Sequence, residues 1–286
     1  MRDIKLWMIN LKKLYVKIYL LLIIVYFMSI NFKNIFSNLN YSKKNTTVSN
    51  LFPNKPISEY KTIIPANIFQ TWSSKKMPPL MFKNIQIIKR NNPELNYFLF
   101  DDNDCREFIK NNFELDVLRA YDSLIPGAYK ADLWRYCILY KYGGIYLDIK
   151  YTPINNFKFI NLLEEEVWTL DLDKKKIYNA LLVCKPGNEI LLKSINKIVE
   201  NVKNKYYGTS WLEPTGPALL RQYFTDEERQ KTKVYHITTG NNDYDRFIKY
   251  NDYNILQCYP GYFRERELYS PKQHYAILWN KRKIYL

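Results

Sequence analysis

Four charged residues stand close together in the middle of the chain, at spacings that suit chemistry on an anionic substrate. Asp132 and Arg135 are three positions apart, so on a helix they share one face. Asp148 follows a short apolar run, and Lys150 stands two positions further on. Carboxylates hold hard divalent cations and a planar guanidinium matches phosphate oxygens. Taken alone, however, the Asp132–Arg135 pair is also compatible with a surface ion pair, which contributes little to the stability of a fold.

The elements around these residues determine whether they meet. The pattern predicts a helix over "IPGAYKADLWRYCILYKYGG" that ends at Gly143 and Gly144, followed at once by a strand, "GGIYLDI". Glycine permits a tight reversal that packs the helix against the strand, which would bring Asp132 and Asp148 together. Because side chains alternate along a strand, Lys150 is predicted to point to the same side as Asp148.

Strands alternate with helices through the body of the chain, from about residue 63 onward. Apolar runs such as "YFLF", "VWTLDL" and "YNALLVCK" are typical of strands, and "NEILLKSINKIVENVKN" has helical spacing. This alternation predicts an α/β domain with a mostly parallel central sheet, whose ligands lie beyond the carboxyl ends of the strands. Neither G-x-G-x-x-G nor a P-loop motif is present, so the usual dinucleotide and P-loop sites are excluded.

The amino end predicts a membrane anchor. The run "LYVKIYLLLIIVYFMSINF" occupies residues 14–32 and would span about 28 Å as a helix. Basic residues before it favour a cytoplasmic tail over residues 1–13 and a type II, single-pass topology. Residues 33–60 are predicted to be a stem, and residues 61–286 the functional domain. A cleaved signal peptide is the alternative, but no small-residue cleavage site follows the apolar run.

Charge and cysteine content narrow the partners further. With 43 Lys and Arg against 28 Asp and Glu, the net charge of +15 favours anionic partners or a lysine-rich surface. The membrane span and the lack of a clustered basic stripe argue against nucleic acid as a partner. The four cysteines form no C-x-x-C pair, which argues against a zinc cluster, and Cys137 is predicted to pack in the core.

The central block "ADLWRYCILYKYGGIYLD" resembles the signature of glycosyltransferase family 32, the sugar transferases with a DXD motif. Fungal outer-chain and sphingolipid mannosyltransferases belong to that family. Further segments resemble family motifs in the family's order: "IPANIFQTW", "YNALLVCKPGNEIL", "PTGPALL" and "HYAILW". The resemblance implies a GT-A fold, in which one Rossmann-like domain binds a nucleotide sugar, and a retaining, metal-assisted transfer.

The resemblance also implies roles for particular residues. Trp72 would lie against the donor base or ribose, and Asp132 would hold sugar hydroxyls. Arg135 would contact the sugar or the diphosphate, and Asp148 would lie near the ribose and metal. Trp279 would reach the diphosphate and complete the donor-binding set. Transfer would then move a hexose from UDP or GDP to a glycan, glycolipid or protein acceptor, in the Golgi or endoplasmic reticulum membrane of a eukaryotic host.

Lys150 is the main departure from the family, because the D-x-D motif reads Asp-Ile-Lys here. The resemblance implies a divalent cofactor, Mn²⁺ or Mg²⁺, held by Asp148 and His274, and an ammonium nearby would repel it. Three possibilities follow. Lys150 pairs with Asp148 or the diphosphate and takes over part of the metal's work; the metal is held by Asp148, His274 and a further carboxylate; or the site is inactive.

The sequence favours retained activity, with Asp132, Arg135, Asp148 and Lys150 as the predicted catalytic set. The alternative is a non-catalytic protein that binds a nucleotide sugar or a glycan on the same fold. Outside this set, His236 is predicted to be structural, beside a strand.

Overall fold

The computed structural model describes residues 56–270 and 272–286, and all of them fall in one compact unit. The predicted membrane span at residues 14–32, the tail before it and most of the stem lie outside the described residues. Within the described part, no helix combines the length and apolarity that a membrane crossing needs. The predicted anchor and its topology therefore stay predictions.

A nine-stranded sheet forms the centre of the described chain. Its strands, in chain order, are β1 (Asn67–Thr71), β2 (Asn96–Phe100), β3 (Gly144–Leu147), β4 (Tyr151–Pro153), β5 (Val167–Leu170), β6 (Ile177–Cys184), β7 (Val234–Thr238), β8 (Arg246–Tyr250) and β9 (Tyr253–Cys258). Across the sheet they lie in the order β2-β1-β3-β6-β5-β7-β8-β9-β4.

The sheet is mixed, so the prediction of a mostly parallel sheet was wrong. β1 runs parallel to β2 and β3, and β5 runs parallel to β7. The other pairings among these strands are antiparallel. The reason is connection length: residues 171–176 join β5 to β6, and Asn251 and Asp252 alone join β8 to β9. Such short turns can join only antiparallel neighbours.

Helices flank the sheet. They are α1 (Pro79–Asn91), α2 (Asp102–Asn112), α3 (Leu115–Ser123), α4 (Gly127–Tyr142), α5 (Glu189–Lys203), α6 (Pro217–Arg221), α7 (Asp226–Gln230), α8 (Tyr262–Tyr269) and α9 (Tyr275–Asn280). Three short 3₁₀ turns, at Ile57–Glu59, Phe159–Leu162 and Asp243–Asp245, complete the described elements. The N-cap of α2 is Asp101, which forms a capping box with Asp104.

The joint between α4 and β3 requires both of its glycines. Gly143 and Gly144 have φ angles of +61° and +115°, a region that side chains rarely adopt. A Cβ at Gly143 would lie 2.6 Å from Pro186 Cδ, and one at Gly144 would lie 2.7 Å from the carbonyl oxygen of Asn67. The predicted tight reversal is confirmed, and it presses the helix that carries Asp132 directly onto the sheet.

Both faces of the central strands are buried. Tyr146 of β3 and Leu182 of β6 join an apolar cluster with helices α2 to α5, whereas Ile145 and Val183 join a second cluster on the opposite face. α1 and residues 157–163 cover that second face. All four cysteines are buried thiols, and Cys137 packs in the first cluster as predicted.

Candidate active site

Asp132 lies on the inner face of α4 and is buried, with 7% of its surface exposed. Its Oδ1 accepts a hydrogen bond from Asn179 Nδ2 at 2.9 Å and lies 3.1 Å from Arg135. Its Oδ2 accepts one from the Thr215 hydroxyl at 2.7 Å. A Cβ at Gly216 would come within 3.3 Å of the same oxygen. The carboxylate therefore sits in a fitted cradle of donors from three elements, and the alternative of a surface ion pair is excluded.

Arg135 joins the two carboxylates of the site. One guanidinium nitrogen contacts Asp132, and another lies 3.4 Å from Asp148 Oδ1 and donates to the Asn179 carbonyl at 2.6 Å. The guanidinium also lies over the Tyr146 ring, 4.2 Å from its centroid. Its planar fork is fixed by these contacts, so Arg135 sets the relative positions of Asp132 and Asp148.

Asp148 immediately follows β3, at the carboxyl end of that strand. Its Oδ1 accepts a hydrogen bond from the Tyr146 hydroxyl at 2.8 Å, and its Oδ2 accepts one from Lys150 Nζ at 2.5 Å. The Asp148 side chain is 23% exposed, which makes it more open than Asp132 at 10%. The structure thus brings all four predicted catalytic residues into one cluster of alternating charge.

Lys150 faces Asp148, but for a different reason from the one predicted. The strand ends at Leu147, and residues 149–150 form a turn that the hydrogen bond from Tyr151 N to the Asp148 carbonyl closes at 3.1 Å. The prediction that strand alternation would align the two side chains was therefore wrong. The turn directs the ammonium towards two aromatic rings. Lys150 Nζ lies 5.3 Å from the ring centroid of Tyr151 and 5.5 Å from that of Tyr178.

The two carboxylates differ in their electrostatic surroundings. Burial raises the pKa of Asp132, and the charge of Arg135 offsets this only in part. Burial acts on Asp148 as well, but the charges of Lys150 and Arg135 outweigh it and lower the pKa of its carboxyl. Burial works against the charge of Lys150, yet the Asp148 carboxylate raises the pKa of the ammonium well above its usual value. Asp148 and Lys150 therefore form a partly buried ion pair.

The residues around Asp148 do not fit a divalent cation. Both carboxylate oxygens already accept from a hydroxyl, an ammonium or a guanidinium, and two of these donors are positively charged. Across the described ranges, no group of three or more His, Cys, Asp or Glu residues is arranged to hold a metal ion. The nearest cation to Asp148 is the side chain of Lys150 itself.

In the described part of the chain, the aromatic and histidine candidates make contacts of their own, none of them with the four charged residues. Trp72 follows β1 and packs with Ile149 in a small apolar cluster, so it lies beside the Asp148 turn. Trp279 donates its ring N–H to the Tyr207 carbonyl at 2.7 Å. His274 is the N-cap of α9, where its Nδ1 accepts from Ala276 N at 3.2 Å. The donor and metal roles of these residues stay predictions.

Asn179 and Thr215 were missed as site residues. Asn179 is the one polar residue within the otherwise apolar run "NALLVC" of β6, which was a usable signal. Its amide donates to Asp132 and also lies 3.1 Å from the Tyr136 hydroxyl. Thr215 lies two positions before α6, and nothing local in the sequence indicates its contact with Asp132. Gln70, fully buried in β1, reaches the Asp148 carbonyl at 3.5 Å.

His236 is held as a structural residue, in agreement with its predicted role. Its ring stacks on Tyr178 with centroids 4.2 Å apart, and its Nδ1 lies 3.3 Å from Asp171 Oδ1. Burial, first of all, lowers the pKa of the imidazole. Tyr178 therefore connects His236 to the ring pair that surrounds Lys150.

Comparison with known proteins supports the resemblance. Residues 78–169 match the family described as "Glycosyltransferase sugar-binding region containing DXD motif". That range contains Asp132, Arg135, Asp148 and Lys150, so the predicted resemblance to DXD sugar transferases is confirmed over the residues that form the charged cluster.

Two curated relatives come from Schizosaccharomyces pombe. Inositol phosphoceramide mannosyltransferase 3 is 28% identical over 183 residues, which is 64% of this chain and 51% of that protein. Inositol phosphoceramide mannosyltransferase 2 is 25% identical over 78% of this chain and 63% of that protein. The chain thus spans between half and two thirds of the length of these relatives. Among solved structures, the PaToxG glycosyltransferase overlaps 67% of this chain and 74% of that chain, with a TM-score of 0.45 and 17% identity.

Proposed function

We propose that this chain is a glycosyltransferase that moves a hexose from UDP or GDP to a glycan, glycolipid or protein acceptor. One observation carries the proposal: Asp132 and Arg135 of α4 meet Asp148 at the carboxyl end of β3 in a single, largely buried cluster. Such a cluster of charged side chains with shifted pKa values is a candidate functional site. We also propose that the domain has a GT-A fold, with which the mixed α/β sheet is compatible.

Each residue has a part that its contacts suggest. A carboxylate has about four acceptor positions. Asp132 uses three in its contacts with Asn179, Arg135 and Thr215, so one position on Oδ2 is left for a sugar hydroxyl. Arg135 acts as a positioning residue, because its guanidinium is fixed between the two carboxylates. Asp148 and Lys150 lie at the more open side of the cluster, where a diphosphate would leave.

The relatives suggest the first substrates to test. Both are named for mannosyl transfer to inositol phosphoceramide, so a mannose nucleotide is the first donor and a glycolipid the first acceptor to examine. Retention of anomeric configuration remains part of the proposal. We also retain the predicted anchor over residues 14–32, which would place the domain on the lumenal side of a Golgi or endoplasmic reticulum membrane.

A non-catalytic binding protein on the same fold is not favoured. The matching relatives are named as transferases, and the cluster of Asp132, Arg135 and Asp148 is complete.

Release of nucleoside diphosphate from UDP- and GDP-hexoses by the full chain tests the proposal. We expect turnover with one donor, and a loss of about 100-fold or more in Asp148→Asn, because Asp148 is the carboxylate that holds Lys150, the cation beside the leaving group. Asp116→Asn is the matched control: Asp116 pairs with Arg119 on the exposed side of α3 and is 73% exposed. Calorimetric binding of UDP and GDP is measured in parallel. A folded chain that binds and turns over none of these donors contradicts the proposal.

A further inference from the structure

The charge balance of the site shows what Lys150 replaces. Asp132 and Asp148 contribute two negative charges, and Arg135 and Lys150 contribute two positive ones, so the cluster is neutral. With an acid at position 150, the same cluster would carry two net negative charges. One divalent cation would then be needed to restore neutrality. The change from Asp to Lys supplies the same two charges within the polypeptide.

Contacts on several sides hold the Lys150 ammonium in place. Nζ lies 2.5 Å from Asp148 Oδ2, and the rings of Tyr151 and Tyr178 flank it. The Lys150 carbonyl accepts a hydrogen bond from Tyr259 N at 2.9 Å, which ties the turn to the end of β9. The side chain is 17% exposed, so most of it is shielded from solvent while part of it stays accessible to a donor.

We propose that Lys150 takes the place of a divalent metal at the donor diphosphate, and that donor binding and transfer by this chain are independent of metal. The inference rests on the proposed function and states which charge serves it. In the transfer, the bond between the anomeric carbon and the β-phosphate oxygen breaks, and its electron pair stays on that oxygen. The acceptor oxygen bonds to the anomeric carbon, and its proton passes to the released phosphate. Lys150 offsets the charge that develops there.

The first test measures binding of UDP and GDP to the full chain by calorimetry, in chelator and in MnCl₂. We expect wild-type affinity for the bound nucleotide to be the same in both. Lys150→Met should weaken it by about 10- to 100-fold, the worth of a hydrogen bond to a charged group. Lys150→Arg, which keeps the charge, should retain most of the affinity. Lys110→Met is the control, because Lys110 pairs with Glu107 on the exposed side of α2. Unchanged affinity in Lys150→Met would overturn the inference.

The second test converts the motif. Lys150→Asp should bind Mn²⁺ in the presence of UDP or GDP, seen as loss of the free Mn²⁺ signal in electron paramagnetic resonance, and its nucleotide binding should then depend on the metal. Wild type should leave the signal unchanged. Circular dichroism confirms that each variant is folded. Metal-dependent binding by wild type would overturn this inference and leave the proposed transferase standing. Wild type that binds neither nucleotide, with or without metal, would overturn both.

Discussion

The two aspartates of one site, one buried and one partly exposed, are held in different ways. Asp132 accepts from neutral donors, chiefly the Thr215 hydroxyl, and from Arg135. Asp148 accepts from Lys150 and Arg135, and the two cations lower its pKa, whereas burial raises that of Asp132. The difference shows two uses of a carboxylate: Asp132 ties helix, strand and loop together, and Asp148 holds positive charge where the site opens.

The largest effect that separates the two aspartates concerns stability. Among the described residues, Asp132→Ala would leave the buried Arg135 with one ion pair, the longer 3.4 Å contact to Asp148. We expect the free energy of unfolding to fall by about 3–5 kcal/mol, as when one member of a buried pair is removed. Asp148→Ala should cost about 1–3 kcal/mol. Urea unfolding followed by circular dichroism measures both.

Asp116→Ala is the matched control for these variants. Its carboxylate pairs with Arg119 at 3.2 Å, but both side chains are largely exposed. The expected cost is about 0–1 kcal/mol, since solvent screens exposed pairs. Equal costs for Asp132→Ala and Asp148→Ala would show that the two carboxylates serve the fold alike, and the comparison would fail.

A single hydroxyl sharpens the comparison on the Asp132 side. Thr215→Val keeps the shape of the side chain but leaves Asp132 Oδ2 without the donor at 2.7 Å. The expected loss of stability is about 1–3 kcal/mol, the cost of a buried acceptor left unsatisfied. Thr232→Val is the control, because its exposed hydroxyl makes only a 3.4 Å contact with the Glu228 carbonyl. If the two valine variants melt alike, Thr215 is not an anchor of Asp132.

The dependence of stability on pH tests the rings beside Lys150, and we expect it to give the smallest effect. Burial lowers the pKa of His236, so below about pH 6.5 the unfolded state binds its proton before the folded state does. Stability should therefore fall as the pH falls, with a slope of at most about 1.4 kcal/mol per pH unit from this group. His236→Phe keeps a ring beside Tyr178 and should remove that part of the slope. An unchanged dependence of Tm on pH in the variant would exclude His236 as its source.

The local part of the site could be predicted from the sequence. Asp132 and Arg135 lie on α4, and Asp148 follows the glycine joint and the short strand β3. Helical spacing and the φ freedom of Gly143 were therefore enough to predict their convergence. Contacts across the fold were less accessible. Asn179 lies 47 positions from Asp132, and Thr215 lies 83 positions away, so no local pattern connects them.

The direction of the strands and the turn at Lys150 show a different limit. Alternating strands and helices predicted a parallel sheet, but the short turns before β6 and β9 were the better guide to pairing. Lys150 was expected on a strand. It lies instead in the turn after Asp148, which the hydrogen bond from Tyr151 N to the Asp148 carbonyl closes. Its contact with Asp148 was predicted correctly, but the predicted cause, side-chain alternation along a strand, was wrong.

The pairing of β4 with β9 connects the Lys150 turn to a distant part of the chain. Tyr151 lies opposite Cys258, and Tyr259 N holds the Lys150 carbonyl, so the turn that carries the ammonium is anchored by chain about 100 positions downstream. Closing so long a loop is slow compared with forming the α4–β3 unit. We therefore expect the Asp132–Arg135 pair to form early during folding, and the Lys150 turn to become ordered only when the carboxyl-terminal strands have arrived.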